Sequence, residues 1–333
     1  MASITETVIR GQFPYWQAAL HQKLPGLTAE TLVLTGCGSS YYLSQALAAV
    51  FNAAGVQAVA VPGAEWACRP EAYLVDPSKA LVIGLSRSGT TTETVQAISA
   101  SRARGWRTLA VSCEKDSAIL QAAEVPFYLP THPQEGIVMS VSASLMLLAG
   151  LRLAGVALGD GVVKAAEAGM AQMDAGAGAI LQGRSHFVFL GGGAMYGIAC
   201  EGALKLQEMS ISYSQAFHPL EYRHGPISLL DEGSVAVMLY SDAAEDEARV
   251  VRDMQAKGAK VIGIGGPGDL AVDLAVDLGV AGPMTGPVTG PVTGPAAGLA
   301  ALPALQILGE HLALMKGIDT EHPRNLTKVV VLN

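Results

Sequence analysis

Basic and aromatic residues are both scarce in this sequence of 333 residues. It contains 21 Lys and Arg against 29 Asp and Glu, which gives a formal net charge of −8, and only 5% of its residues are aromatic. Proteins that bind nucleic acid non-specifically neutralise phosphates with an excess of Lys and Arg. The charge balance therefore disfavours that class, and we expect no nucleic-acid partner.

Cysteines are few and far apart. They form no CxxC pair and no cluster with histidine. Disulfide frameworks and structural zinc sites both need several cysteines at characteristic spacings. We therefore expect neither, and predict that the protein holds no metal. The four positions are Cys37, Cys68, Cys113 and Cys200.

Long apolar runs are lacking as well. Gly, Ser or a charged residue interrupts each run before it reaches about 18 residues, the length of a membrane-spanning helix. The first residues, MASITETVIRGQFPYW, do not have the basic start and apolar core of a signal peptide. Half of all residues are nevertheless apolar and 15% are charged, which is typical of a globular protein with a large core. We expect a cytoplasmic protein with no membrane partner.

Apolar strands alternate with helical segments in the first half of the chain. TLVLTG, LVIGLS and RTLAVS are short apolar runs, and the first two lead into Gly/Ser loops that open segments of helical periodicity. Strands that alternate with helices are typical of βαβ units and a mostly parallel sheet. The sequence therefore predicts an α/β fold.

The same order of segments occurs a second time. HFVFLGGG and the helix after it match LVLTGCGSS and its helix, at an offset of 189 − 34 = 155 residues from Leu34 to Phe189. SVAVMLYSD matches LVIGLSRSG, and KVIGIGG matches RTLAVSC. Chance similarity between Ala- and Gly-rich segments is the alternative. We predict two α/β halves, 20–155 and 170–315, followed by a tail at 316–333.

A low-complexity segment at 282–298 reads GPMTGPVTGPVTGPAAG. Proline at such short intervals can continue neither a helix nor a central strand. We therefore predict a loop.

The loop SRSGTT at 86–91 stands between a predicted strand and a predicted helix. Backbone N–H groups and the dipole at a helix N-terminus favour an anion, and the carboxyl ends of parallel strands are where such folds bind ligands. N-capping is the alternative, but it needs one hydroxyl whereas this loop has five, counting Thr92. The matching loop of the second half, YSDAA at 240–244, carries an acid. We predict one anion site per chain, in the first half.

A second Gly/Ser loop, GSS at 38–40, ends the first predicted strand. It either faces the same anion or forms a simple tight turn. Neither loop is a Walker A or a GxGxxG motif, which disfavours a nucleotide ligand.

Charged residues recur on one face of the helix EGALKLQE. Glu201, Lys205 and Glu208 stand at i, i+4 and i+7. They form either a solvated ladder of ion pairs or, since the helix follows a Gly-rich strand end, a site where a carboxylate moves a proton between adjacent carbons of a sugar. His224 in LEYRHGP is either a functional loop residue or a turn histidine, and Lys328 by itself reads as a surface lysine.

Five segments in order, CGSSYY, SRSGTT, EGALKLQE, LEYRHGP and PRNLTK, resemble the sugar isomerase (SIS) superfamily. They are most similar to the isomerase half of glucosamine-6-phosphate synthase and to the shorter aminosugar-phosphate deaminase/isomerases. The resemblance covers nearly the whole chain. It implies two flavodoxin-like SIS subdomains, each a mostly parallel sheet flanked by helices, in a homodimer with shared active sites.

The resemblance also implies a substrate pocket. It assigns the 86–91 loop and its neighbours to a sugar phosphate, and assigns Val138 and Ser140 to the lining of the sugar pocket. Relatives have a Thr and a basic residue in the segment where this chain reads Ser140, Val141 and Ser142, so the polarity there differs. The phosphate-pocket residues are Gly38, Ser39, Ser40, Ser86, Arg87, Ser88 and Thr91.

The resemblance implies a catalytic role for five residues. Glu208 matches the base that moves a proton between C1 and C2, with Glu201 and Lys205 in support. His224 matches a histidine that assists ring opening and comes from the neighbouring chain in relatives. Lys328 matches a lysine that forms a Schiff base with the open-chain ketose.

The activity expected from the resemblance is that of an aminosugar-phosphate deaminase/isomerase. It would convert glucosamine 6-phosphate, or a similar hexosamine phosphate, into a ketose 6-phosphate and ammonia without a cofactor. No glutaminase segment with a nucleophilic cysteine precedes the isomerase part, so glutamine-dependent synthase activity is not expected. An aldose–ketose isomerase, a fructosamine-phosphate deglycase and a non-catalytic sugar-phosphate sensor stay open as alternatives.

Overall fold

The computed structural model describes residues 2–26, 28–266, 271–279 and 294–330. The chain divides into two compact units. Unit 1 comprises Met1–Phe13 and Ala157–Leu326, and unit 2 comprises Pro14–Val156 and Thr327–Asn333. Helix α1 (Ile4–Arg10) belongs to unit 1, and helix α2 (Phe13–His21) leads into unit 2. The boundaries predicted from the repeat stay a prediction.

Unit 2 is built on a parallel five-stranded sheet in the order β2-β1-β3-β4-β5. Every residue of β3 is buried, as expected of a central strand covered on both faces. This strand order is the flavodoxin-like one. The strands are β1 (Thr31–Gly36), β2 (Gln57–Pro62), β3 (Ala80–Ser86), β4 (Arg107–Ser112) and β5 (Val125–Tyr128); the further helices are α3 (Ser39–Ala53), α4 (Gly63–Cys68), α5 (Thr92–Ala103), α6 (Ala118–Ala122) and α7 (Val141–Leu153).

Unit 1 repeats the topology of unit 2. Its parallel sheet has the order β10-β9-β8-β6-β7, which is the same 2-1-3-4-5 order when the five strands are counted from β6. The α/β fold with two flavodoxin-like halves is therefore confirmed. The strands are β6 (His186–Gly191), β7 (Ser214–Phe217), β8 (Ser234–Leu239), β9 (Lys260–Ile264) and β10 (Leu274–Val276); the further helices are α8 (Asp160–Leu181), α9 (Ala194–Ser210), α10 (Ala244–Gln255) and α11 (Pro295–Met315).

The repeat extends to backbone dihedral angles. Gly38 before α3 and Gly193 before α9 both have φ 54° and ψ −126°. This region of positive φ favours glycine, which has no Cβ. The two positions are 193 − 38 = 155 residues apart, which is the offset found in the sequence.

Helix α11 corrects one expectation. Gly294 caps it and Pro295 occupies its first turn, where a missing N–H is tolerated, so the last part of the Gly-Pro segment is helical and not a loop. The preceding 282–293 lie outside the described residues. The same 21-residue helix is long and apolar enough to cross a membrane by length and composition, although Gly298, Gly309 and Glu310 interrupt its apolar run, as expected from the sequence. It packs against α8 and α9, and 83% of its apolar window is buried inside the protein, as in the core helix of a soluble protein.

Candidate active site

The loop between β3 and α5 carries several hydroxyl groups at the carboxyl end of the sheet, from buried Ser86 to exposed Thr90. Ser86 ends β3 with its hydroxyl accepting the Gly89 N–H at 3.1 Å, and the Ser88 hydroxyl accepts the Thr90 N–H at 3.3 Å. Thr91 is the N-cap of α5, but within the described residues its hydroxyl accepts no hydrogen bond from the first turn. The Thr91 hydroxyl therefore does not act as a simple N-cap of α5.

Gly89 holds this loop in a conformation that would strain any residue with a side chain and would bring its Cβ into a clash. Its φ is +62°, and an added Cβ would lie 2.1 Å from Ser117 Oγ and 2.7 Å from Ser112 Oγ. Its carbonyl oxygen accepts the Ile119 N–H at 2.9 Å. The loop is thus packed onto the segment that follows β4, with little freedom to move.

Replacing Gly89 with Ala tests whether this packing shapes an anion site. We expect the affinity for inorganic phosphate to fall by roughly 10- to 100-fold, because the change adds backbone strain and a clash. Gly105→Ala is the matched control: it also has a positive φ of +78°, but a Cβ there meets no described atom within 4 Å. Isothermal titration with phosphate measures both; equal affinities in the two variants would contradict the prediction.

Arg87 directs its side chain toward two backbone carbonyl groups. Its guanidinium donates to the Gly136 oxygen at 2.9 Å and to the Lys328 oxygen at 2.8 Å. The Lys328 ammonium in turn donates to the Glu135 carbonyl oxygen at 2.9 Å. Lys328, which reads as a surface lysine in the sequence, is thereby held beside the 86–91 loop.

A buried carboxylate that the sequence analysis missed organises the neighbouring segment. Glu135 is 3% exposed, and its Oε1 accepts the N–H groups of Ser140 and Ser142 at 2.6 and 3.0 Å. These donors open α7, so Glu135 caps that helix. The predicted residues Val138 and Ser140 lie buried in the same segment. No capping motif signals Glu135, because it stands before the N-cap and not after it.

The 38–40 turn lies next to the 86–91 loop. A Cβ on Gly36 would lie 2.7 Å from Ser40 Cβ and 3.0 Å from the Leu85 carbonyl oxygen, so the ends of β1 and β3 approach closely. Ser39 and Ser40 are buried in the first turn of α3. The structure therefore brings both predicted Gly/Ser loops to one end of neighbouring strands.

Helix α9 carries Glu201, Lys205 and Glu208, the three charged residues predicted from the sequence, on one face. The Lys205 ammonium lies 3.6 Å from Glu201 Oε1 and is bonded to Glu208 Oε2. Glu201 and Lys205 side chains are 1% exposed, whereas that of Glu208 is 21% exposed. The arrangement is not a solvated ladder: a buried ion pair supports one carboxylate that a ligand can reach.

The unit 1 loop that corresponds to 86–91 is filled by the chain itself. Glu247 on α10 accepts the Ser241 N–H at 2.8 Å and the Ser241 hydroxyl at 2.5 Å. A Cβ on Gly192 would lie 3.6 Å from the same carboxylate. The acid noted in the sequence, Asp242, is exposed, so Glu247 is the acid that bonds to this loop. A single anion site per chain stays a prediction; the Glu247 carboxylate, which would repel an anion at the unit 1 loop, is a physical reason for it.

Burial raises the pKa of the Glu247 carboxyl above 4.5, although its bonds to Ser241 act in the opposite direction. A raised folded pKa means that its stabilising contribution is complete at low pH and is lost as pH rises through that pKa. We expect the free energy of unfolding of the wild type to fall relative to Glu247→Gln as pH rises from about 4.5. Urea unfolding of both proteins at acidic and neutral pH measures this. A difference that is independent of pH would contradict it.

His224 lies at an exposed turn of unit 1. It follows a short 3-10 turn, Glu221–Arg223, and its backbone N–H donates to the Glu221 carbonyl oxygen at 2.9 Å. In the same segment the His218 ring stacks on Tyr196 of α9 with ring centroids 4.0 Å apart. The catalytic role of His224 stays a prediction. Among the described residues no group of three His, Cys, Asp or Glu side chains is placed to hold a metal ion.

Comparison with known proteins identifies the family. The SIS domain model matches residues 27–154 and 180–274, and the chain belongs to this family. The glutamine–fructose-6-phosphate aminotransferase (isomerizing) of Pyrobaculum aerophilum is 30% identical over 324 residues, covering 92% of this chain and 52% of the relative. That of Xylella fastidiosa is 30% identical over 324 residues, covering 90% and 51%. The chain spans about half the length of the curated relatives it matches.

Solved structures share the fold over almost the whole chain. Glucosamine-6-phosphate deaminase from Thermotoga maritima aligns with a TM-score of 0.85 and 28% identity, covering 99% of this chain and 100% of that one. Tagatose-6-phosphate ketose/aldose isomerase from Escherichia coli aligns with a TM-score of 0.81 and 20% identity, covering 100% and 96%. The chain thus has the SIS fold of sugar-phosphate isomerases, as the sequence motifs predicted.

Proposed function

We propose that this chain is an aminosugar-phosphate deaminase/isomerase, which converts glucosamine 6-phosphate or a similar hexosamine phosphate and water into a ketose 6-phosphate and ammonia. One observation carries the proposal: Arg87, in the hydroxyl-rich 86–91 loop, binds the backbone carbonyl oxygen of Lys328, and the Glu135 carbonyl oxygen accepts from the Lys328 ammonium. An anion site alone serves a sensor as well as an enzyme. An amine held next to it suits a substrate with both a phosphate and a reactive carbonyl carbon.

The phosphate is held in this proposal by neutral donors of the 86–91 loop. Ser88 is half-buried and Thr91 stands at the start of α5, where backbone N–H groups and the helix dipole favour a negative charge. The buried guanidinium of Arg87 adds positive charge nearby. Together these groups suit a dianion at the end of a small flexible substrate.

Glu208 is the proposed base of the isomerisation. After the sugar ring opens, with help from His224, the Glu208 carboxylate takes the proton from C2 and returns a proton to C1. The amine nitrogen loses a proton and O1 gains one, so the aldose that carries an amine at C2 becomes a C2 imine with a hydroxyl at C1. The bonded ammonium of Lys205, backed by buried Glu201, holds the carboxylate in place. We propose that His224 acts from a second copy of the chain in a homodimer.

Lys328 is the proposed amine for the release of ammonia. Its neutral amine attacks C2 of the imine, ammonia leaves, and the sugar stays bound to Lys328 as an imine. Water then adds to C2 and the C–N bond to Lys328 breaks, which gives the ketose and regenerates the amine. The balance is one hexosamine phosphate and one water to one ketose phosphate and one ammonia. The similarity to the Thermotoga maritima deaminase supports this reaction.

Ammonia release tests the proposal. Purified protein receives glucosamine 6-phosphate, with galactosamine 6-phosphate and fructosamine 6-phosphate in parallel, and ammonia and fructose 6-phosphate are both measured. We expect equal amounts of the two products from glucosamine 6-phosphate. Ammonia from fructosamine 6-phosphate alone would favour a deglycase. Binding of all three without ammonia would contradict the proposal and favour an isomerase or a sensor.

A further inference from the structure

Arg87 stands in the 86–91 loop, but its guanidinium donates to carbonyl groups of other segments. The residue is 7% exposed, and its guanidinium donates to the carbonyl oxygens of Gly136 at 2.9 Å and Lys328 at 2.8 Å. In the part of the chain that the structure describes, no carboxylate pairs with it. A buried cation whose recorded side-chain bonds go to two carbonyl groups is placed to join segments of the chain.

The segments that Arg87 joins are far apart in sequence. Its two bonds span 49 and 241 residues. The Lys328 ammonium rests on the carbonyl oxygen of Glu135, the residue before Gly136. Three hydrogen bonds thus close a ring from the anion loop to the 135–136 segment, from there to Lys328, and back to Arg87.

The 135–136 segment is itself fixed. The Glu135 carboxylate accepts bonds from Thr131 and from the residues that open α7, with O···O and N···O distances of 2.6 to 3.2 Å. The ring therefore has rigid supports on two sides, at the end of β3 and at the start of α7. Lys328 is the part that depends on the ring for its position.

We propose that Arg87 is a positioning residue that ties Lys328 to the anion loop, so that the phosphate and the carbon attacked by Lys328 are presented at a fixed separation. The inference rests on the proposed function, in which Lys328 forms an imine with the sugar. It assigns Arg87 a different task from direct phosphate binding. The planar fork of arginine can reach two carbonyl oxygens at once, which the single ammonium of lysine cannot reproduce with the same geometry.

Trapping of the imine separates the two tasks. The Lys328 amine attacks C2 of fructose 6-phosphate, and the adduct loses water to form an imine. Cyanoborohydride then delivers hydride to this imine, which leaves a stable secondary amine. The intact mass of the protein then reports the trapping rate. In Arg87→Lys, which keeps the charge, we expect this rate at saturating sugar phosphate to fall by about 100-fold, as for other small misplacements of reacting groups. The affinity for inorganic phosphate should stay near that of the wild type.

Ser88→Ala is the matched comparison. It removes a loop hydroxyl and leaves the ring intact, so it should weaken phosphate binding but regain the trapping rate when sugar phosphate saturates. Arg87→Lys should not regain it. If Arg87→Lys traps at the wild-type rate when sugar phosphate saturates, the inference is overturned. A loss of phosphate affinity of about tenfold or more in that case would show that Arg87 is a phosphate ligand.

Proteolysis tests the tie without any chemistry on a sugar. Endoproteinase Lys-C cleaves after Lys328, and loss of the residues that follow is read by intact mass. We expect Arg87→Gln to be cleaved there faster than the wild type. Arg102→Gln is the control, because Arg102 also donates to backbone carbonyl oxygens in unit 2, those of Gln121, Ala122 and Ala123. Arg87→Met replaces Arg87→Gln if the latter does not fold.

The two measurements fail in different ways. Faster cleavage in Arg87→Gln with no trapping in the wild type would support the tie and contradict the proposed role of Lys328. Cleavage of Arg87→Gln at the wild-type rate would show that Arg87 does not hold Lys328, whether or not the wild type traps the imine. Faster cleavage together with slow trapping in Arg87→Lys supports both.

Discussion

Glu208→Gln is expected to reduce kcat for glucosamine 6-phosphate by roughly 100- to 10,000-fold, the usual contribution of a positioned general base. The amide keeps the shape of the side chain and an oxygen that can accept from Lys205, but it cannot take a proton from C2. Phosphate binding by unit 2 should stay unchanged. A coupled assay for ammonia and ketose phosphate measures the loss.

Glu167→Gln provides the control for this change. Glu167 is an exposed carboxylate on α8 of the same unit, and its replacement should leave kcat unchanged. Full turnover by Glu208→Gln would show that another group moves the proton. The role assigned to the α9 carboxylate would then be wrong.

The second large effect is expected on stability. Lys205→Met removes the cation of the α9 ion pairs and leaves Glu201, which is 1% exposed, without the ammonium at 3.6 Å. Removing one partner of a buried ion pair lowers the free energy of unfolding by about 3–5 kcal/mol, because the remaining carboxylate is buried and has lost the attraction of the ammonium. Chemical unfolding of the two proteins by urea measures the difference.

A double variant shows where this loss comes from. Glu201→Gln combined with Lys205→Met removes both charges, and it should recover much of the stability lost in the single variant. Arg249→Met is the control, since Arg249 pairs with Glu245 and Asp246 on the exposed face of α10. Exposed pairs contribute little, so this change should have a far smaller effect. A loss no greater for Lys205→Met than for Arg249→Met would contradict the account.

The central strands and their Gly-rich ends could be predicted from the sequence because their signals are local. β1, β3, β6 and β8 are continuous apolar runs, each followed by Gly or Ser residues and a helical period. The repeat offset of 155 residues then predicts two similar sheets, and the matching dihedral angles of Gly38 and Gly193 agree with it. Local patterns are sufficient wherever burial on both faces dictates an apolar run.

The edge strands were not predicted, because their sequences carry weaker signals. β5 has four residues and β10 has three, and both are only partly buried. A partly exposed strand of this length has neither a continuous apolar run nor a clear alternation. The start of α11 was missed for a different reason. Proline at the first helical position permits a helix, although the Gly-Pro repeat before it reads as a breaker.

The residues of the candidate site likewise differ in whether their sequence signals are local. Motifs predict the 86–91 loop and the charged face of α9, since each is contiguous or regularly spaced along the chain. Glu135 and Glu247 were missed, because a capping carboxylate outside a standard motif is recognised only from its contacts. Lys328 needed the resemblance to a family, since the bond that holds it spans 241 residues.

The fate of a deuterium atom at C2 of glucosamine 6-phosphate tests the central claim most directly. The substrate labelled at C2 is converted by the wild-type protein, and the product is examined by NMR and mass spectrometry. The account predicts loss of deuterium from C2, with appearance at C1 or in solvent, and a slower rate than with unlabelled substrate. It also predicts no such loss in Glu208→Gln. Release of ammonia together with an aldose phosphate that keeps its deuterium at C2 would contradict proton transfer between C1 and C2, and with it the mechanism proposed for this chain.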